Sequence, residues 1–122
     1  MSSHPIYCGV DFAKEKFDYH TAELRGSLPS NPAAHRRFLA MLAPGTHVVC
    51  ESTGHYHRAL VGAAHAAGVA VTVANPQQVR FFAKGLGRKA KTDPIDAQTL
   101  ADFGRVTLPK ADLAPMVGVG RR

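Results

Sequence analysis

Four carboxylates at unequal intervals, Asp11, Glu51, Asp93 and Asp96, are the residues whose types and placement could do chemistry. Asp11 closes the apolar run Ile6-Tyr7-Cys8-Gly9-Val10, and Glu51 closes His47-Val48-Val49-Cys50. The other two stand three residues apart in Lys91-Thr92-Asp93-Pro94-Ile95-Asp96-Ala97, which has the composition of a helix start. An acid placed where a buried strand emerges must be solvated, hydrogen-bonded or bound to a cation. Were the two strands parallel neighbours, their ends would lie ~4.8 Å apart, a spacing at which two carboxylates can share one metal ion. Either acid alone reads equally well as the first exposed residue after a strand; the pair makes that reading weaker.

For Asp93 and Asp96 local structure alone offers a complete account. Asp at the N-cap, Pro at N1 and Asp at N3 make a well-formed helix start, with both acids favoured by the macrodipole. Residues i and i+3 nevertheless share a face and could present two carboxylates to one cation. Capping and ligation compete for Asp93, so Asp96 is the better ligand candidate on physical grounds. Four such acids suit two-metal phosphodiester chemistry, in which two Mg²⁺ ions ~3.5–4 Å apart serve the attacking and leaving oxygens. His55 and His57 follow Glu51, but their i, i+2 spacing points the rings apart, and hard oxygen donors select Mg²⁺ over Zn²⁺.

The elements that must position these acids can be read from periodicity. Ile6 to Asp11 and Phe17 to Ala22 read as two strands of a hairpin, and Glu23 to Pro29 as a short edge strand where Pro29 is tolerated. Asn31 as N-cap and Pro32 at N1 open a helix with Ala34, Phe38, Met41 and Leu42 on one face, stopped by Pro44-Gly45. After the strand ending in Glu51, Ser52-Thr53-Gly54 turns the chain into a second helix, with Ser52 as its cap, Tyr56, Leu60, Ala63, Ala64 and Ala67 inward, and Gly68 as the C′ residue. Val69 to Ala74 reads as a buried strand, and Asn75-Pro76 repeats the capping device before a helix that packs Val79, Phe82 and Ala83. Gly85 to Lys91 is a basic loop, and the last helix is predicted from Pro94 to about Arg105. The stretch 106–122, with Pro109, Pro115, Gly118 and Gly120 and no periodicity, reads as a tail or linker. A hairpin followed by helix–strand alternation predicts an α/β domain, a mixed sheet with helices packed on it, over residues 1–105.

Composition narrows the function classes. The chain is long enough for one domain with a core, and no apolar run approaches the ~18 residues needed to cross a bilayer. Without a basic n-region or an apolar h-region at its start, the protein is expected to be cytoplasmic, with Cys8 and Cys50 reduced. Each cysteine precedes its strand-ending acid by an odd number of positions, so it points to the opposite face as a small buried hydrophobe. Net charge is +6, and no Asp or Glu occurs from Ser52 to Thr92, where Arg58, Arg80, Lys84, Arg88, Lys89 and Lys91 fall. A basic surface beside a carboxylate site suits a polyanion held by its phosphates, although a solvated, solubilising face would look the same.

The order Gly9-Val10-Asp11, Cys50-Glu51-Ser52-Thr53-Gly54-His55-Tyr56, Asn75-Pro76 with Arg80, and Lys91-Thr92-Asp93-Pro94-Ile95-Asp96-Ala97 resembles the N-terminal half of the DEDD transposases. These are Piv/MooV-like insertion-sequence recombinases, whose first domain is similar to the RuvC Holliday-junction resolvase. The resemblance covers residues 6–105. It implies an RNase H-like fold, with Asp11, Glu51, Asp93 and Asp96 as a tetrad for Mg²⁺ or Mn²⁺ acting on DNA. The basic interval predicts that Arg80, Lys84, Arg88, Lys89 and Lys91 contact nucleic acid through its phosphates; RNA could share this face because some relatives use a structured guide RNA, and the full-length protein is expected to be a homo-oligomer. Family members continue into a second domain with a nucleophilic serine, which nothing in this sequence matches. The chain is therefore expected to be incomplete for recombination.

Two rivals remain at this point. In a non-catalytic nucleic-acid-binding module the acids would be caps and strand ends, and the basic loop would do all the binding. An actin-like or sugar-kinase ATPase opens with a strand similar to Gly9-Val10-Asp11, but Phe12-Ala13-Lys14 lacks the small residues of a phosphate loop.

Overall fold

The computed structural model describes residues 6–52, 54–87 and 95–112. Strands β1 (Ile6–Phe12), β2 (Lys16–His20) and β3 (Arg25–Pro29) lead into helix α1 (Pro32–Met41), and then come β4 (Thr46–Glu51), α2 (Arg58–Ala66), β5 (Ala70–Ala74), α3 (Pro76–Gly85) and α4 (Ala97–Thr107). Among the described residues the strands form one mixed sheet in the order β3-β2-β1-β4-β5. The hairpin strands pair antiparallel, whereas β1 with β4 and β4 with β5 are parallel.

Strand period 2 divides the core in two. Cys8, Val10, Val48, Cys50 and Val71 turn one way, to meet Phe38 and Leu39 of α1 and Leu60 and Ala64 of α2. Val49 and Ala74 turn the other way, toward Val79 of α3 and Leu100 and Phe103 of α4. β4, central and parallel to both neighbours, is buried along its whole length, as a strand covered on both faces must be.

The expected caps of α1 and α3 form. The Asn31 side chain accepts from the Ala34 amide at 2.8 Å, and that of Asn75 from the Gln77 amide at 2.8 Å, each followed by proline. Gly68 follows α2 with φ +75°, as a C′ glycine should. The edge strand containing Pro29 also forms, paired among the described residues to β2.

Three expectations need correction. Helix α2 begins at Arg58 with His57 in the N-cap position, so Ser52 does not cap it and Tyr56 lies exposed ahead of it. Gly54, at φ +58°, keeps the chain turning for several residues after β4. Helix α4 begins at Ala97, because Asp96 takes the cap and its Oδ1 accepts from both the Thr99 amide and the Thr99 hydroxyl, each at 2.8 Å.

Finally, α4 runs to Thr107, and the residues after it are not a loose tail as far as Asp112. The Asp112 amide donates to the Val71 carbonyl at 2.7 Å, the Val73 amide donates to the Asp112 carboxylate at 2.8 Å, and the Thr72 hydroxyl donates to the Lys110 carbonyl at 2.8 Å. β5 is an edge strand, and these bonds satisfy backbone groups that an open edge would leave to solvent.

Candidate metal centre and nucleic-acid face

The register decides where the acids go. Val10 lies opposite Cys50 in the parallel pair, so the next step sets Asp11 beside Glu51 at the carboxyl ends of two neighbouring strands, on one face of the sheet. That face is the one α4 covers. Gly9 is the reason α4 comes so close: a Cβ there would collide with the Ala97 carbonyl and the Ala101 amide, and one at Gly104 would run into the Tyr7 ring and Val49. The start of α4 is thereby set over the end of β1, which carries Asp96 to the same rim.

The electrostatics follow from this gathering. Asp11 is pushed up to about 6, first by burial and then by the charges of Asp18, Glu51 and Asp96, with Lys16 pulling slightly the other way. Glu51, buried at the strand end, is also raised by burial and is partly compensated by Arg80. Acids arranged so that they oppose one another's ionisation suit a cation among them.

Asp18 escaped the sequence reading. It sits directly across the β1–β2 ladder from Asp11, where the Ser27 hydroxyl donates to it at 2.6 Å and Lys16 pairs with it at 3.4 Å. The alternation of Phe17, Asp18 and Tyr19 in the hairpin was the available signal, and it needed the hairpin register to be of use. A recess of about 340 Å³ opens beside this acid, with Asp18, Tyr19, His20, Arg25, Asp96 and Gln98 in its lining.

The fit to a divalent ion is one of donor type and charge. Asp11, Glu51 and Asp96 offer hard carboxylate oxygens on one rim, although among the described residues no three His, Cys, Asp or Glu side chains stand ready as a complete ligand set. Two bonds from Thr99 already engage Asp96 Oδ1. Asp93 lies outside the described residues, as do Arg88, Lys89 and Lys91. Of the expected phosphate contacts, Arg80 and Lys84 are described, and both are exposed on α3.

Cys8 and Cys50 lie buried on the face away from the acids, where burial pushes both thiols up to about 12. They remain protonated and take no part. A larger apolar groove of about 620 Å³ between α1 and α2, lined by Pro32, Leu39, Ala63 and Val69, also lies on that far side of the sheet and is not the site. Among the described residues no helix is long and apolar enough to cross a membrane.

Comparison with known proteins identifies the family and the fold. A DEDD transposase family model of the IS110 type, described as a transposase, matches residues 8–115. Pilin gene-inverting proteins are similar in sequence: that of Moraxella bovis is 29% identical over 108 residues, and that of Moraxella lacunata 30% over 112 residues. Each alignment takes in 80% of this chain but 34% of the relative, so the chain spans about a third of the length of these proteins. In structure the chain is similar to Thermus thermophilus RuvC in complex with a Holliday junction substrate, with a TM-score of 0.57 at 19% identity, covering 89% of this chain and 100% of that one. That likeness identifies the fold as RNase H-like.

Proposed function

This chain belongs to the DEDD transposase family, and from that premise we propose that it is the part of such a recombinase that carries the metal-binding carboxylates for DNA transposition. The observation that carries the reading is the register that sets Asp11 beside Glu51 under the capped start of α4, which brings Asp96 to the same rim. Asp11, Glu51 and Asp96, with Asp93, would hold Mg²⁺ or Mn²⁺. Bound there, such ions supply the Lewis acidity that in-line phosphodiester displacement needs. The chain's own side chains do the rest. Asp18 adds negative charge beside Asp11, Arg80 balances Glu51, and Arg80 and Lys84 offer phosphate contacts on α3, beside Arg88, Lys89 and Lys91 in sequence. DNA in the cytoplasm is the proposed partner. Strand exchange, a structured guide RNA and a homo-oligomer are further proposals for the recombinase as a whole.

Titration calorimetry with Mg²⁺ and Mn²⁺, on the wild type and on Asp11→Asn, tests the metal site. The wild type should bind at or below millimolar concentration, and Asp11→Asn should lose at least about tenfold in affinity, equivalent to ~1.4 kcal/mol. No binding by the wild type, or equal binding by both, overturns the reading.

A further inference from the structure

Helix α3 buries Val79 and Ala83 and half-buries Phe82, whose ring meets Phe103 edge-on at 5.6 Å. Helical periodicity then sets Gln77, Arg80, Phe81 and Lys84 on the outward arc, and all four are exposed. Phe81 is 66% exposed, the largest value among the exposed large hydrophobic residues described. The helix does not need a ring there, since a small or straight-chain residue would favour it more.

The surroundings of Phe81 indicate what the ring meets. Arg80 precedes it, Lys84 lies one turn on, and the sequence holds no acid from Ser52 to Thr92. Aromatics and arginine occur at protein contacts too, but an aromatic set between two cations on a chain of net charge +6 is better matched to a polyanion than to a protein partner. It is well suited to nucleic acid, where the cations take phosphates and the ring takes a base. The position connects to the metal centre as well, because the Arg80 charge reaches Glu51. Against Phe81 lies a recess of about 580 Å³ lined also by Gln78, Phe82, Phe103, Thr107 and Pro109. In a paired duplex both faces of each base are stacked and closed to a protein ring, so only an unpaired or splayed base can use this surface.

We propose that Phe81 is a stacking platform for a base of an unpaired nucleic-acid strand, held by Arg80 and Lys84 and leading to the carboxylate rim. This deepens the nucleic-acid reading above and rests on it.

The chain contains no tryptophan, so Phe81→Trp installs a single fluorophore at the proposed contact. Binding of a labelled single-stranded oligonucleotide and of its blunt duplex is measured for the wild type, Phe81→Trp, Phe81→Leu and Phe81→Ala, with circular dichroism to show that each variant folds. Phe81→Ala and Phe81→Leu should both weaken single-strand binding by about 5- to 100-fold and leave duplex binding and the salt dependence almost unchanged. Phe81→Trp should keep the affinity, with its emission quenched by the single strand and not by the duplex. Full single-strand affinity in Phe81→Leu, or unquenched emission in Phe81→Trp, overturns the stacking role while the nucleic-acid reading stands. Self-association of the wild type that Phe81→Leu keeps and Phe81→Ala loses would assign the ring to a protein contact and overturn it too. If the wild type binds neither strand form, the nucleic-acid reading fails and this inference goes with it.

Discussion

Asp11 is surrounded by groups that oppose its charge, and that opposition is measurable. In protein stripped of divalent ions, folded Asp11 keeps its proton to about 6, whereas the unfolded side chain releases it near 3.8. Between those values the folded state binds more protons, so this group's contribution to stability is fully present below about 3.8 and is lost as pH rises through about 6. Asp11→Asn cannot lose it. Discounted for solvent screening at a half-buried position, the gain for the variant above about pH 6 is on the order of 1 kcal/mol, a few degrees in Tm. Saturating Mg²⁺ should reverse the order by stabilising the wild type alone. Thermal melts from about pH 4 to 8, in chelator and in Mg²⁺, check both halves; a variant no more stable than the wild type in chelator above about pH 6 would contradict the repulsion.

Between β1 and α4 the decisive feature is a missing side chain. Gly9 lets the backbone of α4 rest against the strand, and its Cβ would meet backbone atoms of Ala97 and Ala101, which cannot rotate away as a side-chain tip could. Gly9→Ala should therefore displace the start of α4 and cost about 1–3 kcal/mol, the range for overpacked cores. Because Asp96 sits at that start, Mg²⁺ affinity should fall with stability even though no ligand has been changed. Urea melts paired with calorimetry test this. By contrast, Gly62→Ala, on α2 where an added methyl meets open space, should leave metal binding intact and stabilise the helix slightly. Retained Mg²⁺ affinity in Gly9→Ala would show that the close approach does not set the site.

Over the whole molecule, charge is unevenly spread: Asp11, Asp18, Glu51 and Asp96 gather at one rim of the sheet, while α3 and the sequence after it carry Arg80, Lys84, Arg88, Lys89 and Lys91. Binding of DNA should accordingly be governed by salt, with log K falling linearly in log salt concentration. Arg80→Gln with Lys84→Gln should flatten the slope by about 0.7–0.9 for each lost phosphate contact and change sequence preference little. Filter binding at four or more salt concentrations reads the slope directly. An unchanged slope would move the binding face off α3.

What the sequence determined by itself was local. Asn31-Pro32 and Asn75-Pro76 announced two helix starts, and the alternation along Ile6–Asp11 and His47–Glu51 announced which side chains share a face, because caps and strand pleat depend only on near neighbours. The candidate acids were legible for the same reason, Asp11 and Glu51 at the ends of apolar runs and Asp93 and Asp96 at a helix start. Only the tertiary structure decided that β1 lies parallel to β4 in the register that sets Asp11 beside Glu51, since that choice is made by burying Val10, Val48 and Cys50 together across some forty residues of chain. It also brought Asp18 opposite Asp11, gave the cap of α4 to Asp96, and turned part of an apparent tail, Lys110 to Asp112, into a cover for the edge of β5. The cover of β5 has no short-range cause, since it satisfies backbone groups whose partners lie almost forty residues away in the sequence.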